Sequence, residues 1–182
     1  MPKEFLARRL DVQAFAEEGA SLHGQQPLSA FGRLLAETEG RGADSLVDWS
    51  AQGELRNPRH LQPQVWLHLR ARAQLQLTCQ RCLQPVETPV EVDGRFRFVA
   101  DEAAAAAEDD QSEEDVLATS RAFDLAELLE DELLMALPVA PRHEVCPEPL
   151  PMSAADPGAG EAAPVRENPF AMLQKLRQGK AE

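Results

Sequence analysis

Four residues in this chain have the types and spacing to hold a metal ion. Cys79 and Cys82 form a Cys-x-x-Cys pair, and His143 and Cys146 in Pro141-Arg-His-Glu-Val-Cys146 are also separated by two residues. A tight turn brings both sulfurs of the first pair to one ion, and a structural zinc wants four ligands. Three thiolates and one imidazole are an accepted Zn²⁺ set. Two other readings stay open. The cysteines are plain thiols with His143 merely exposed, or Cys79 and Cys82 are a redox dithiol, which would make the chain a thiol-disulfide oxidoreductase. A thioredoxin-like dithiol sits after a strand at a helix start, where the dipole lowers the thiolate pKa. This pair lies between two strands instead. His23, His60 and His68 have no motif around them.

Those strands are the clearest elements in the sequence. Val65, Leu67, Leu69, Ala71, Ala73, Leu75 and Leu77 alternate with His68, Arg70, Arg72, Gln74, Gln76 and Thr78, Trp66 being the one large exception. Val86, Thr88, Val90, Val92, Phe96 and Phe98 alternate with Glu87, Glu91, Asp93, Arg95 and Arg97. Successive strand side chains point to opposite faces, so the pattern needs one dry side and one wet side. It predicts an antiparallel hairpin, Gln64–Thr78 with Pro85–Val99, whose tip carries Cys79 and Cys82.

The rest must cover that hairpin, and a helix packed across it could return His143 and Cys146 to its tip. Phe5–Glu39 reads as two short helices broken at Gly19–Gln26, the second offering Leu28, Phe31, Leu34 and Leu35 at helical spacing. Gly40–Asp44 is a breaker, and Ser45–Leu55 alternates as a further strand with Val47, Trp49, Ala51 and Leu55 inward. Arg56–Pro63 is a turn, since each Pro removes a backbone donor and fixes φ. Asp101–Asp115, with five consecutive alanines and eight acidic residues, reads as an exposed, mobile insertion. Val116–Phe123 reads as one more strand. Asp124 caps a helix to Ala136, with Leu125, Leu128, Leu129, Leu133 and Ala136 dry and Glu127, Glu130 and Asp131 wet; Pro138 ends it. The expected fold class is α+β: an antiparallel β-meander covered by helices, with a Cys-x-x-Cys hairpin tip and a disordered C-terminal tail. Residues 1–146 form the domain and 147–167 a disordered linker. Residues 168–182 form a short docking helix, with Asn168 as cap, Pro169 at its first position, and Phe170, Leu173 and Leu176 on one face.

The formal net charge is −13 and the pI about 4.7. That balance argues against a nonspecific nucleic-acid coat, which needs clustered Lys and Arg, and suits a basic protein partner. Arg70, Arg72, Arg95 and Arg97 on the wet strand face are a local basic exception that could contact RNA. The bland reading is a solvated face with cross-strand ion pairs to Glu87 or Glu91. No apolar run approaches the ~20 residues that span a bilayer, and the first residues lack a secretory pattern, so the expected location is the cytoplasm, with no membrane partner. A nuclease is not expected, because no carboxylates converge on a site for Mg²⁺.

Three segments resemble one known family. Leu77-Thr-Cys-Gln-Arg-Cys-Leu-Gln-Pro-Val86 is similar to the signature of the bacterial YceD family of large ribosomal RNA subunit accumulation proteins. So are the run from Asp124 to His143 and the final Asn168-Pro-Phe-Ala-Met-Leu-Gln-Lys-Leu176. The resemblance implies a non-enzymatic role in accumulation or processing of the large-subunit (23S) ribosomal RNA, in bacteria and plastids. It carries Cys79, Cys82 and Cys146 over as family positions and assigns them no role. With the acidic composition it suggests an adaptor for a basic ribosomal protein or assembly factor, touching ribosomal RNA directly or indirectly. Asn168, Pro169, Phe170 and Leu173 are its expected docking residues.

Overall fold

The computed structural model describes residues 4–59, 61 and 63–148. The linker from Pro149 onward and the docking segment with Asn168, Pro169, Phe170 and Leu173 lie outside the described residues, as does His60. In chain order the elements are α1 (Val12–Glu17), β1 (Ser21–Pro27), α2 (Gly32–Glu37), β2 (Leu46–Arg56), β3 (Gln64–Thr78), β4 (Pro85–Val99), α3 (Glu102–Asp109), β5 (Asp115–Ala118) and α4 (Leu125–Met135). One sheet takes the strands in sequence order. Each pair from β1 to β4 is antiparallel, whereas β5 runs parallel to β4, reached through α3.

The central hairpin has the expected limits, with register from Val65↔Phe98 to Thr78↔Pro85. Its dry face holds Leu67, Leu69, Leu75, Val90 and Phe96, all buried, and Arg70, Arg72, Glu91 and Asp93 stand on the open face. Trp66 breaks the alternation because the open face covers it: the Arg56 guanidinium lies 4.1 Å from its ring centroid. Such a cation–π contact seals an aromatic ring that the pleat would otherwise leave wet.

Three expectations are corrected. The predicted break at Gly19–Gln26 is strand β1, paired along its whole length with β2. It escapes hydrophobic patterning because Leu22 is its one large apolar residue, and it is held through backbone pairing. Asp101–Asp115 is not a bare exposed insertion. Asp101 accepts a hydrogen bond from the Ala104 N–H, α3 follows, Ala105 is buried, and Glu108 pairs with Arg97 of β4 at 2.7 Å. The acid density is offset there by a cap and by one arginine of the sheet. The second predicted helix is shorter than its spacing suggests: a single 3₁₀ turn, Leu28–Ala30, precedes the six-residue α2.

Helix α4 follows the predicted cap, the Asp124 carboxylate accepting from Ala126 N–H at 3.0 Å and Glu127 N–H at 3.1 Å. Leu125, Leu129 and Leu133 are buried, whereas Leu128 is half-buried and Ala136 exposed, which trims the predicted stripe. Glu130 and Asp131 do more than face water. Glu130 accepts from the Arg33 and Leu34 backbone N–H groups at 2.7 and 3.2 Å, and Asp131 pairs with the Arg33 guanidinium at 2.5 Å. The first turn of α2 lacks a side-chain cap of its own, so α4 satisfies its orphan donors. The middle of α4 is thereby joined to α2, and the chain leaving Met135 heads back toward the hairpin tip.

Candidate metal centre

The hairpin tip is a tight turn. Cys79 N–H donates to Gln84 O and Leu83 N–H to Cys79 O, both at 2.9 Å, and Leu83 takes a left-handed φ of 60° to close it. Cys79 is fully buried beneath this turn, and Cys82 is half-buried on its outer side.

The segment after α4 is tied to the tip by hydrogen bonds. Gln80 N–H donates to Pro141 O at 2.8 Å. The Arg81 guanidinium donates to His143 O and, at 3.2 Å, to Glu144 O. The His143 ring then lies against the turn with Nε2 3.0 Å from Pro85 O and Nδ1 3.5 Å from Cys82 Sγ. A carbonyl can only accept, so Nε2 donates to it, and Nδ1 is the ring nitrogen facing the sulfurs. Nδ1 donates to a thiolate when the ring is protonated and offers a lone pair to a metal when the ring is neutral. A ligating histidine is usually oriented by this kind of outer hydrogen bond.

The structure therefore brings together all four residues singled out by spacing. One ligand atom from each of Cys79, Cys82, His143 and Cys146 lies within 4.8 Å of every other. A tetrahedral ion with bonds of about 2.0–2.3 Å sets its ligand atoms roughly 3.3–3.8 Å apart. Modest inward side-chain movement closes the present group onto such an ion, so the group can hold a metal. Electrostatics favour a cation. Burial pushes the Cys79 thiol up, but N–H donors of Cys82, Arg81 and His143 and the His143 side chain outweigh it and bring it down to about 5. The Cys146 thiol is pushed up by burial and by its hydrogen bonds to Cys82 and Cys79, the Arg81 charge acting against this. The lowered Cys79 thiol suits the thiolate form that a metal binds.

Spacing did not reveal Arg81, Gln80 or the Pro85 carbonyl, which fasten the two segments. Their only sequence signal is adjacency, Gln80 and Arg81 being the two residues between the cysteines. The four arginines expected at a partner surface do share the open sheet face, but largely in balanced pairs. Arg70 lies 3.3 Å from Asp93 and Arg97 2.7 Å from Glu108, while Arg72 stands opposite Glu91 in register. The His68 hydrogen bond at 2.5 Å, with the Arg70 charge, holds the Asp93 carboxyl below its usual range.

Fold and cluster together define an α+β protein whose candidate metal centre is built into a hairpin tip and completed by the segment after its last helix. The chain belongs to the family of large ribosomal RNA subunit accumulation proteins, YceD, whose family model matches residues 67–177. The matched range contains all of the hairpin except the first three residues of β3, and all four cluster residues. The large ribosomal RNA subunit accumulation protein YceD of Haemophilus influenzae is 28% identical over 159 residues, covering 85% of this chain and 90% of that protein. No solved structure matches the chain. No helix among the described residues is long and apolar enough to cross a membrane.

Proposed function

We propose that this protein is a non-enzymatic cytoplasmic factor that supports accumulation of large-subunit (23S) ribosomal RNA. It acts as an acidic adaptor for a basic ribosomal protein or assembly factor. The observation that carries the reading is the charge distribution in a member of this family. The net charge is −13, and the one arginine-rich face is offset by Asp93, Glu91 and Glu108. A surface of that kind lacks the unpaired basic stripe that releases counterions from RNA, and it attracts a basic protein instead. Contact with RNA is then indirect, through the partner. Affinity capture from cells with and without nuclease tests this. Retention of a basic ribosomal protein or assembly factor after nuclease is expected; loss of every ribosomal partner in both conditions overturns the adaptor.

In the same reading Cys79, Cys82, His143 and Cys146 hold a structural Zn²⁺. Supporting it are the donor set, the His143 ring set by Pro85, and four protein ligands that leave no open position for substrate. Elemental analysis of protein purified without added metal should find near-stoichiometric zinc, lost in Cys79→Ser. Folded, metal-free protein with all thiols reactive would retire it. The lowered Cys79 thiol favours a second reading, a thiol-disulfide oxidoreductase using Cys79 and Cys82. Full burial of Cys79 weighs against it, because a disulfide substrate must reach the attacking sulfur. Turnover of a disulfide substrate would support it.

A further inference from the structure

The three sulfurs of the cluster are not equivalent. Cys79 is sealed under the tip, while Cys82 and Cys146 are half-buried and reachable from solvent. The two reachable sulfurs belong to different segments, the hairpin tip and the stretch after α4. Their atoms lie within 4.8 Å. Hydrogen bonds from Gln80 and Arg81 to Pro141, His143 and Glu144 also tie the two segments together. A peroxide molecule that reaches the site therefore meets Cys82 and Cys146 first and finds them already adjacent.

We propose that peroxide oxidises this centre by joining Cys82 Sγ to Cys146 Sγ, which expels the ion and replaces the metal clamp with a covalent one. The proposal rests on the zinc reading given above. One reachable thiolate attacks a peroxide oxygen and becomes a sulfenic acid, which the second thiolate condenses to a disulfide. The two sulfurs together lose two electrons, the O–O bond breaks, and two protons from solvent complete two molecules of water. In the reduced, metal-free chain the two thiols supply those protons. After coupling, Cys79 and His143 alone remain as ligands, too few to retain a structural zinc. Because the new bond links the two segments already held together, the stretch after α4 stays on the hairpin tip. A Cys79–Cys82 bond would instead leave that stretch without a covalent or metal tie.

The test uses the full chain, purified reduced and with its metal content measured, then treated with hydrogen peroxide. Release of zinc is followed with a chromophoric chelator, and the thiols are mapped by alkylation and peptide mass spectrometry. The expected result is loss of bound zinc in step with a cross-linked peptide joining Cys82 to Cys146, with Cys79 alkylated only after unfolding. The cross-link should survive in Cys79→Ser and vanish in both Cys82→Ser and Cys146→Ser. A Cys79–Cys82 bond, separate sulfinic acids, or thiols that stay reduced at peroxide levels that oxidise an unfolded control overturn the proposal. Metal-free reduced protein refutes the zinc reading alone, and the same map then decides the coupling.

Discussion

The strand that hydrophobic patterning missed makes a quantitative prediction. Gly24 of β1 stands opposite Trp49 of β2, and a Cβ placed on it would lie 2.8 Å from Trp49 Cζ2 and 2.9 Å from Cε2 and Nε1. Carbon contacts become comfortable near ~3.5 Å, so the indole or the strand must give by roughly 0.7 Å. The ring has little room: it is buried, and Leu125, Ala126 and Leu129 of α4 line the gap beside it. Overpacking of this size costs about 1–3 kcal/mol. Gly24 does not sit at positive φ, so alanine also stiffens the unfolded chain and recovers about 0.4–1 kcal/mol. Gly24→Ala should therefore destabilise by about 1–2 kcal/mol. Trp49→Phe supplies the control. It shortens the ring that causes the clash and removes Nε1, a buried donor with no partner among the described residues. In the Trp49→Phe background Gly24→Ala should be neutral or slightly stabilising, a coupling of about 1–2 kcal/mol. Urea unfolding of the four proteins, followed by far-ultraviolet circular dichroism, measures it. An equal cost in both backgrounds would refute the packing of β1 over Trp49.

Three further outcomes are expected. Leu133→Ala, at a fully buried position, should cost about 2.7–5 kcal/mol, whereas Met135→Ala, 78% exposed on the same helix, should stay within about 0.5 kcal/mol in urea unfolding. Burial, with Asp115 and Asp131 nearby, raises the Glu132 pKa. The folded state thus holds that proton more tightly than the unfolded chain, and the benefit is full at low pH and lost as pH rises through the raised value. Glu132→Gln should raise Tm at neutral pH and give no gain near pH ~3, where both carboxyls are protonated; a gain that persists in acid would contradict the assignment. Chelation should speed hydrogen exchange at the Gln80 amide, which donates to Pro141 O, and leave the β3 and β4 amides protected.

How much of this was legible in the sequence follows from what each residue has to satisfy. The β3–β4 hairpin could be read to the residue because nearly every side chain from Val65 to Leu77 meets either core or water, and its type reports which. Trp66 looked anomalous because its cover, Arg56, comes from the neighbouring strand. β1 was not legible: its pairing runs through backbone groups, which any residue carries. Its one specific requirement, the missing side chain at Gly24, is set by an indole 25 residues away in the chain. α3 misled for a different reason. The alanines signalled helix correctly, and the acids argued against packing, but Glu108 finds Arg97 across the fold. The cluster residues were legible as two pairs with equal spacing. That the pairs meet depends on α4 lying on the dry face, and on Arg81 reaching carbonyls that no sequence pattern marks.

The same geometry says what a metal here would and would not hold. The core is built from β2, β3, β4 and the inward stripes of α1 and α4, and Leu125, Leu129 and Leu133 anchor α4 without help from the cysteines. The stretch from Leu137 to Cys146 is held less firmly, with Leu137 and Cys146 packed half-buried against that core. It contains no helix or strand, and it leaves Val139 and Val145 almost wholly exposed. Its fixed points are the bonds to Gln80, Arg81 and Pro85 and the two cluster side chains. Residues 82 and 143 are 61 positions apart, but most of the entropy of closing that loop is already lost when β4 and α4 pack. An ion therefore has only the last few residues to order. That distinguishes this arrangement from small zinc domains that are unfolded without metal. It places the consequence of gaining or losing the ion at the hairpin tip and at the chain leaving it, with the sheet unchanged.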